Sequence, residues 1–291
     1  MSDRSENGNM NESVGRSEEQ IRAELISAME ALSRGDHSVR ASGNDALAVS
    51  FNGMADALER RDSEQMDMIA SVAHDLRSPM TSVIGFVDGM MNGAVKPEDR
   101  EKYLKVIKSE CLRLSELVAQ LLDVSRIQSG DRKFQCEPFD ICEKARIILI
   151  SFECRIEEKR LDVEFACERD NMLALGDSDA VHQVLYNVCD NAVKYAREGG
   201  KYKINIKTDE KDASFIRVSV YNEGIGVPQD SLANVFERYY KVDGARGGER
   251  VSTGLGLYIS KLIVDAQGGE IDALSEYGKW FCVSFTVKRS V

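Results

Sequence analysis

Long hydrophobic runs are missing from this chain. None approaches the ~18 consecutive apolar residues that span a bilayer. The longest, around Ile147 to Phe152, has the size of a core strand or helix segment. A secretory signal is missing too: the opening MSDRSENGNMNESVGRSEE has almost no large apolar groups and reads as a disordered stretch or a trimmed leader. A basic excess is absent. The net charge is −11 with acids and bases interspersed, which argues against a nucleic-acid-binding face. Paired cysteines are absent as well. Cys111, Cys136, Cys142, Cys154, Cys167, Cys189 and Cys282 are odd in number, scattered and without a CxxC. They fit reduced thiols in a reducing compartment better than a disulfide framework or a metal-ligand set.

What is present is enough apolar residue, 43% over 291 positions, to build two or so domains. From about residue 20 to 129 helical patterning is interrupted only at SRGDHSVRASGND, Gly53, Pro79 and NGAVKPED. The last is a turn, with Asn92-Gly93, Pro97 and an acidic helix start, and it separates helices over roughly 45–92 and 97–129. Ile69, Val72, Ala73, Leu76, Met80, Val83, Ile84 and Val87 form one apolar stripe. Leu104, Ile107, Cys111, Leu114, Val118 and Leu121 form another, at alternating steps of three and four. A lone hairpin buries only its facing sides, so a homodimer closing a four-helix bundle is expected.

Beyond RIQSGDRKF the pattern becomes mixed. KYKINIKT, SFIRVSVY and KWFCVSFTVK alternate like half-buried strands, and helices are expected at about 138–159, 178–196 and 255–267. The expected architecture is an all-α helical hairpin, forming a dimeric four-helix bundle, followed by an α+β sandwich. Residues 1–19 are expected to be disordered, 20–63 a helical signalling segment, 64–130 the hairpin and 131–291 the mixed domain, with the boundary near 129–134.

Three stretches carry chemistry. In SVAHDLRSPMTSVIGF, His74 and Asp75 precede Pro79, which removes the bond to the Asp75 carbonyl. In SDAVHQVLYNVCDNAVKYA, Gln183, Asn187, Asn191 and Lys194 fall within an arc of roughly 80° opposite an apolar face. Such amides and an ammonium suit a metal and a phosphate, or form an ordinary solvated face. YNEGIGVP follows a strand, with Asn222 before Gly224 and Gly226, and the cationic GGERVSTGLGLYIS runs from glycines straight into a helix, an arrangement that favours phosphate. Neither loop has the spacing of a Walker A or dinucleotide fingerprint.

The order HDLRSP, asparagine helix, NxGxG, FERYYK, TGLGL, GGEI resembles the sensor histidine kinases of two-component systems, over roughly residues 65–290. Their ATP-binding domain is of the Bergerat type. The stretch GDHSVRASGNDALAVSFNGMADAL resembles a HAMP signalling module, with His37 in its loop. The resemblance implies that His74 takes the γ-phosphoryl group of ATP, with Asp75 orienting its ring and accepting its proton. It implies Asn191 as the Mg²⁺ ligand, Asn187 as its catalytic companion, and Lys194 and Tyr195 along phosphates and base. Asn222 stands where the family has an aspartate that reads adenine. Phe236, Tyr239, Tyr240 and Lys241 match the aromatic and basic positions that follow. Thr253, Gly254, Leu255, Gly256 and Leu257 match the second glycine box, although Ser252 replaces its leading glycine. Ser78, one turn after His74, stands at the position that serves regulator dephosphorylation. Gly268 and Gly269 shape a turn into a strand starting at Glu270, and His182 is a surface residue.

The resemblance further implies ATP and Mg²⁺ as cofactors, a response-regulator receiver domain as partner, and a cytoplasmic location, as in the cytoplasmic portion of a membrane-bound sensor. Two other readings compete. One is a degenerate kinase acting as a dimeric scaffold that binds nucleotide weakly, suggested by Asn222 and Ser252. The other is a gyrase- or chaperone-type ATPase, which would need a glutamate where Asn187 stands.

Overall fold

The computed structural model describes residues 18–43, 46–241 and 253–290. They form two compact units, one ending at Ala73 and the other running from His74 to the C-terminus. The expectation of disorder for residues 1–19 falls almost wholly outside the described residues, which begin with the first helix at Glu18.

In the first unit, helix α1 (Glu18–Ser33) is followed by a connection into helix α2, which begins at Ala46 and extends to Met91. Its small core is Leu25, Ala28, Ala41, Ala48, Phe51 and Ala55. Alanines there let backbones approach closely. Asn52 acts as a backbone substitute: its Nδ2 donates to the Ala41 carbonyl (3.0 Å) and its Oδ1 accepts from the Ala41 amide (2.8 Å). His37 pairs with Asp62, and Arg40 with Asp56 and Glu59.

The second unit starts within α2. The helix continues unbroken through Pro79, so the lost bond does not end it. A turn with Gly93 at φ +71° leads to Pro97, which opens a 3₁₀ turn before helix α3 (Arg100–Gln128). Phe86 and Tyr103, with ring centroids 5.0 Å apart and planes tilted by 38°, join the two helices. Met80, Ile84 and Met91 on α2 and Leu104, Leu112, Val118 and Leu122 on α3 remain about half exposed or more. A different face of α3, with Leu117 and Val124 buried, joins the main core.

That core belongs to a mixed domain. A five-stranded sheet is ordered β2-β4-β5-β7-β6, from β2 (Asp162–Cys167), β4 (Lys201–Thr208), β5 (Phe215–Glu223), β6 (Ile271–Glu276) and β7 (Trp280–Lys288). The β2–β4 pair is parallel and the others antiparallel. Tyr202, Ile204 and Ile206 of β4 and Ile216, Val218 and Val220 of β5 are buried, alternating with accessible residues. Helices α4 (Ile141–Ser151), α6 (Ser178–Tyr195) and α8 (Gly256–Ala266) contribute the facing side of this core. Short helices α5 (Glu153–Glu158) and α7 (Gln229–Leu232) complete the order.

The single helix expected over 138–159 is not one helix. Residues Glu137–Asp140 form β1, paired antiparallel with β3 (Leu173–Gly176), and the helix breaks at Phe152. Asp140 caps α4 by accepting from the Cys142 amide at 2.9 Å, which fixes the helix start after the strand. Strands β1, β2 and β3 lacked a strong alternation in sequence; their pairing is supplied by partners distant along the chain.

Candidate functional site

Helix α6 organises the site. Asp177 caps its start, accepting from the amides of Asp179 (3.1 Å) and Ala180 (2.9 Å). Val181, Val184, Leu185, Val188, Cys189, Ala192 and Val193 are buried on the inner face. At its other end the Lys159 ammonium donates to the carbonyls of Val193, Lys194 and Ala196, at 2.9, 2.7 and 3.0 Å. These are carbonyls that a helix end leaves without partners. Burial and the neighbouring Arg155 lower the Lys159 pKa below the usual ammonium value.

The polar arc of α6 divides its labour. Gln183 turns to the hairpin, donating to Asp123 Oδ2 (3.0 Å) and accepting from Arg132 (3.3 Å). Asn187 Nδ2 donates to the Gly256 carbonyl at 3.1 Å and so ties α6 to the start of α8. Asn191 is half-buried one turn further on. The Lys194 ammonium lies 5.4 Å over the Tyr195 ring. Burial lowers its pKa; Asp190 opposes this, and the cations Lys241, Arg155 and Arg113 add to it. This gathering of positive groups on one partly buried lysine is a field suited to an anion.

The glycine loops close against this helix end. A side chain at Gly224 would come within 2.0 Å of the Tyr195 carbonyl, so only glycine lets the loop after β5 pass there. Asn222, 1% exposed, has an Nδ2 with no hydrogen-bond partner. Gly226, unlike Gly224, has positive φ. At Gly254 (φ +73°) a Cβ would stand 2.8 Å from the Tyr239 backbone, and the Tyr239 amide donates to the Gly254 carbonyl at 3.1 Å. Phe236 is buried, Tyr240 half-buried, and burial pushes the Tyr239 hydroxyl up to about 12. Leu255 is buried and Leu257 packs on the core. Ser252 and the cationic stretch before it lie outside the described residues.

His74 presents 81% of its side chain to solvent. Its Nδ1 lies 3.4 Å from Asp75 Oδ1, and Asp75 is buried, with Lys241 Nζ 3.6 Å from Oδ2. Ser78 is exposed one turn on from His74, while Pro79 is buried on the Asp75 side. On α3, Gln120 Oε1 accepts from the Thr253 hydroxyl at 3.0 Å, and Gln128 donates to the Tyr258 hydroxyl at 2.8 Å. The expected residues therefore meet as Asp75 with Lys241, Asn187 with Gly256 and Tyr195 with Gly224. Ser78, exposed, enters none of these contacts. Lys159, Arg113 and Gln120 were not expected. Lys159 and Arg113 act across long sequence separations, and Gln120 was legible only as a polar break beside an apolar stripe.

Comparison with known proteins agrees with this geometry. Residues 64–130 match the His Kinase A (phospho-acceptor) domain family, and residues 176–291 match the histidine kinase-, DNA gyrase B- and HSP90-like ATPase family. The chain is 35% identical over 230 residues to the sensor histidine kinase WalK of Bacillus subtilis, covering 79% of this chain and 37% of WalK. It is 31% identical over 242 residues to the sensor protein SrrB of Staphylococcus aureus, covering 83% and 41%. The chain thus spans about two-fifths of the length of these relatives. Among solved structures, it is similar to the histidine kinase ThkA in complex with the response regulator protein TrrA, with TM-score 0.61, 26% identity, 80% of this chain and 64% of that one. The fold is also that of the Acinetobacter baumannii histidine kinase AdeS, with TM-score 0.62, 24% identity and coverage of 75% and 98%. An exposed histidine with an adjoining acid stands in the first matched segment and the glycine-lined loops in the second: these two segments belong to the phospho-acceptor and ATPase-type domain families of histidine kinases.

Proposed function

We propose that the chain is an ATP-dependent protein-histidine kinase that autophosphorylates His74 and passes the phosphoryl group to an aspartate of a response regulator. The observation that carries this reading is the exposed imidazole of His74 held by Asp75, in the same compact unit as the cation field around Lys194. With the imidazole proton on Nδ1 facing Asp75, the Nε2 lone pair is free to attack the γ-phosphorus. The N–P bond forms, the bond from phosphorus to the ADP oxygen breaks, and Asp75 takes the Nδ1 proton. Lys194 and Lys241 offset phosphate charge, and the free amides at the start of α8 cradle it.

No cluster of His, Cys, Asp or Glu suited to a metal occurs among the described residues. A divalent ion would be held by the amide oxygen of the half-buried Asn191 and by the phosphates, with Asn187 one turn earlier on the same helix, a donor set that fits Mg²⁺. Bound there, Mg²⁺ supplies charge neutralisation to the transferring group. Base contact falls to Asn222, whose unpaired buried amide suits a base edge, and to Tyr195, Phe236 and Tyr240.

The exposed apolar positions of α2 and α3 support a homodimer with a four-helix bundle, and the histidine-bearing surface is the regulator's docking face. Ser78, on that face, would serve the reverse reaction. Residues 20–63 form a HAMP-like input segment and 64–130 and 131–291 the phosphotransfer and ATP-binding domains. No helix among the described residues is long and apolar enough to cross a membrane, and a cytoplasmic location follows from the reading as a kinase portion.

The test is incubation with γ-labelled ATP and Mg²⁺ beside His74→Gln. Acid-labile, alkali-stable label on the unmodified chain alone is the expected result. ATP binding without any label on histidine would overturn the reading.

A further inference from the structure

Beyond that reading, and resting on it for the nucleotide, one buried amide bears on which bases the site takes. Strand β5 turns Ile216, Val218, Val220 and Asn222 to the buried face of the sheet, an apolar row that ends in one polar group. The cross-strand partners of Asn222 are Tyr202 and Phe281, both buried. Its Nδ2 is buried and makes no hydrogen bond. A Cβ built on Gly224 would stand 3.1 Å from that Nδ2 and 2.0 Å from the Tyr195 carbonyl. The donor thus lies at the loop edge that glycine keeps open, beside the end of α6.

Much of the loop backbone after Asn222 is already engaged. The Glu223 carbonyl accepts from the Arg197 amide at 2.9 Å, and the Gly224 amide donates to the Lys279 carbonyl at 3.0 Å. The Ile225 carbonyl accepts from the Gly278 amide at 2.8 Å, and the Val227 amide donates to the Ser275 hydroxyl at 2.7 Å. The side-chain amide is the group left over. Buried donors in folded proteins almost always have partners, so this one points to an accepting atom on a ligand. At its six-position adenine carries an amino group, which donates, whereas a 6-oxopurine carries a carbonyl, which accepts. A carboxylate only accepts and suits the amino group alone. An amide holds one acceptor and one donor group, and turning it over exchanges them. Turning the Asn222 amide breaks no bond at Nδ2, because none is made there.

We propose that Asn222 makes the nucleotide site permissive at the purine six-position, so that 6-oxopurine nucleoside triphosphates serve as phosphoryl donors to His74 beside ATP. Nδ2 donates to the 6-oxo group of such a base. With adenine the amide turns, and Oδ1 accepts from the amino group. The transfer itself is unaltered: the N–P bond forms at His74 Nε2, the bond from phosphorus to the diphosphate oxygen breaks, and inosine diphosphate leaves in place of ADP.

The experiment measures binding of ADP, inosine diphosphate and the diphosphate of 6-unsubstituted purine riboside, each with Mg²⁺, by calorimetry on the full chain and on Asn222→Asp. Diphosphates carry no γ-phosphoryl group, so binding is read without turnover. On the unmodified chain ADP and inosine diphosphate are expected to bind within about tenfold of each other, and the unsubstituted purine several-fold more weakly than both. In Asn222→Asp the carboxylate opposes the 6-oxo oxygen, so the preference for ADP over inosine diphosphate should widen by at least about tenfold. Inosine triphosphate labelled at the γ-position should label the unmodified chain and leave His74→Gln bare. A preference for ADP beyond about tenfold in the unmodified chain, no label from inosine triphosphate, or an unchanged preference in Asn222→Asp would overturn the proposal. Equal binding of all three bases would do so too, since nothing would then read the six-position. That comparison needs no substitution and stands even where Asn222→Asp fails to fold. If ADP also fails to bind, the kinase reading falls with it; if ADP binds and ATP labels His74 while the inosine nucleotides do neither, only this inference fails.

Discussion

The Lys159 ammonium donates to the main-chain carbonyl of Lys194 at 2.7 Å, so one lysine caps the helix that presents the other to the site. The same ammonium holds the carbonyls of Val193 and Ala196. It fastens the end of α6 against which Gly224 packs. Lys159→Met leaves three carbonyls unpartnered at a negative helix end. The expected cost is about 2 kcal/mol, reduced from a fully buried case because Lys159 is only half-buried. Urea unfolding measures it, and a weaker affinity for ATP should accompany the loss.

Asp177 gives the second prediction, in pH. Burial raises its pKa, but the amides of Ala180, Gln135 and Asp179 outweigh that and hold the carboxyl below its ordinary value. The folded pKa is the lower one, so the stabilisation is complete above the unfolded value, near 4, and is lost as pH falls through the folded value. Asp177→Asn keeps a cap without the charge. The stability difference between the two proteins should be flat above about pH 5 and shrink below about pH 4 in denaturant titrations. A difference independent of pH would refute the assignment.

Asn222 should separate stability from binding. Its Nδ2 is buried without a partner, so removing the amide relieves a cost that offsets the small cavity. Asn222→Ala is expected to change unfolding free energy by no more than about 1 kcal/mol while ATP affinity drops on the order of tenfold. A large loss of stability with normal affinity would show the amide to be structural.

The apolar faces left open on α2 and α3 predict the oligomer. Ile84 and Leu112 are each 55% exposed in the single chain. Ile84→Glu or Leu112→Glu would set a charge in a dimer seam, at a cost of several kcal/mol. Light scattering should then show monomer at concentrations where the unmodified chain is a dimer. Autophosphorylation by the monomer would mark transfer within one chain, and its loss would mark transfer between chains.

Periodicity and residue order determined much of this protein. Apolar steps of three and four fixed the two long helices to within a few residues, because a helix repeats its face whatever lies beyond it. The HDLRSP, asparagine-helix and glycine motifs named the candidate chemistry. The tertiary structure alone decided which stripe of α3 docks on the ATP-binding domain, since Leu117 and Val118 are equally apolar and only the first is buried. It alone sent Gln183 to Asp123 instead of a phosphate, brought Lys159 to the end of α6, and made strands of residues 137–140 and 173–176. These outcomes rest on partners dozens of residues away, and local propensity carries no record of a distant partner.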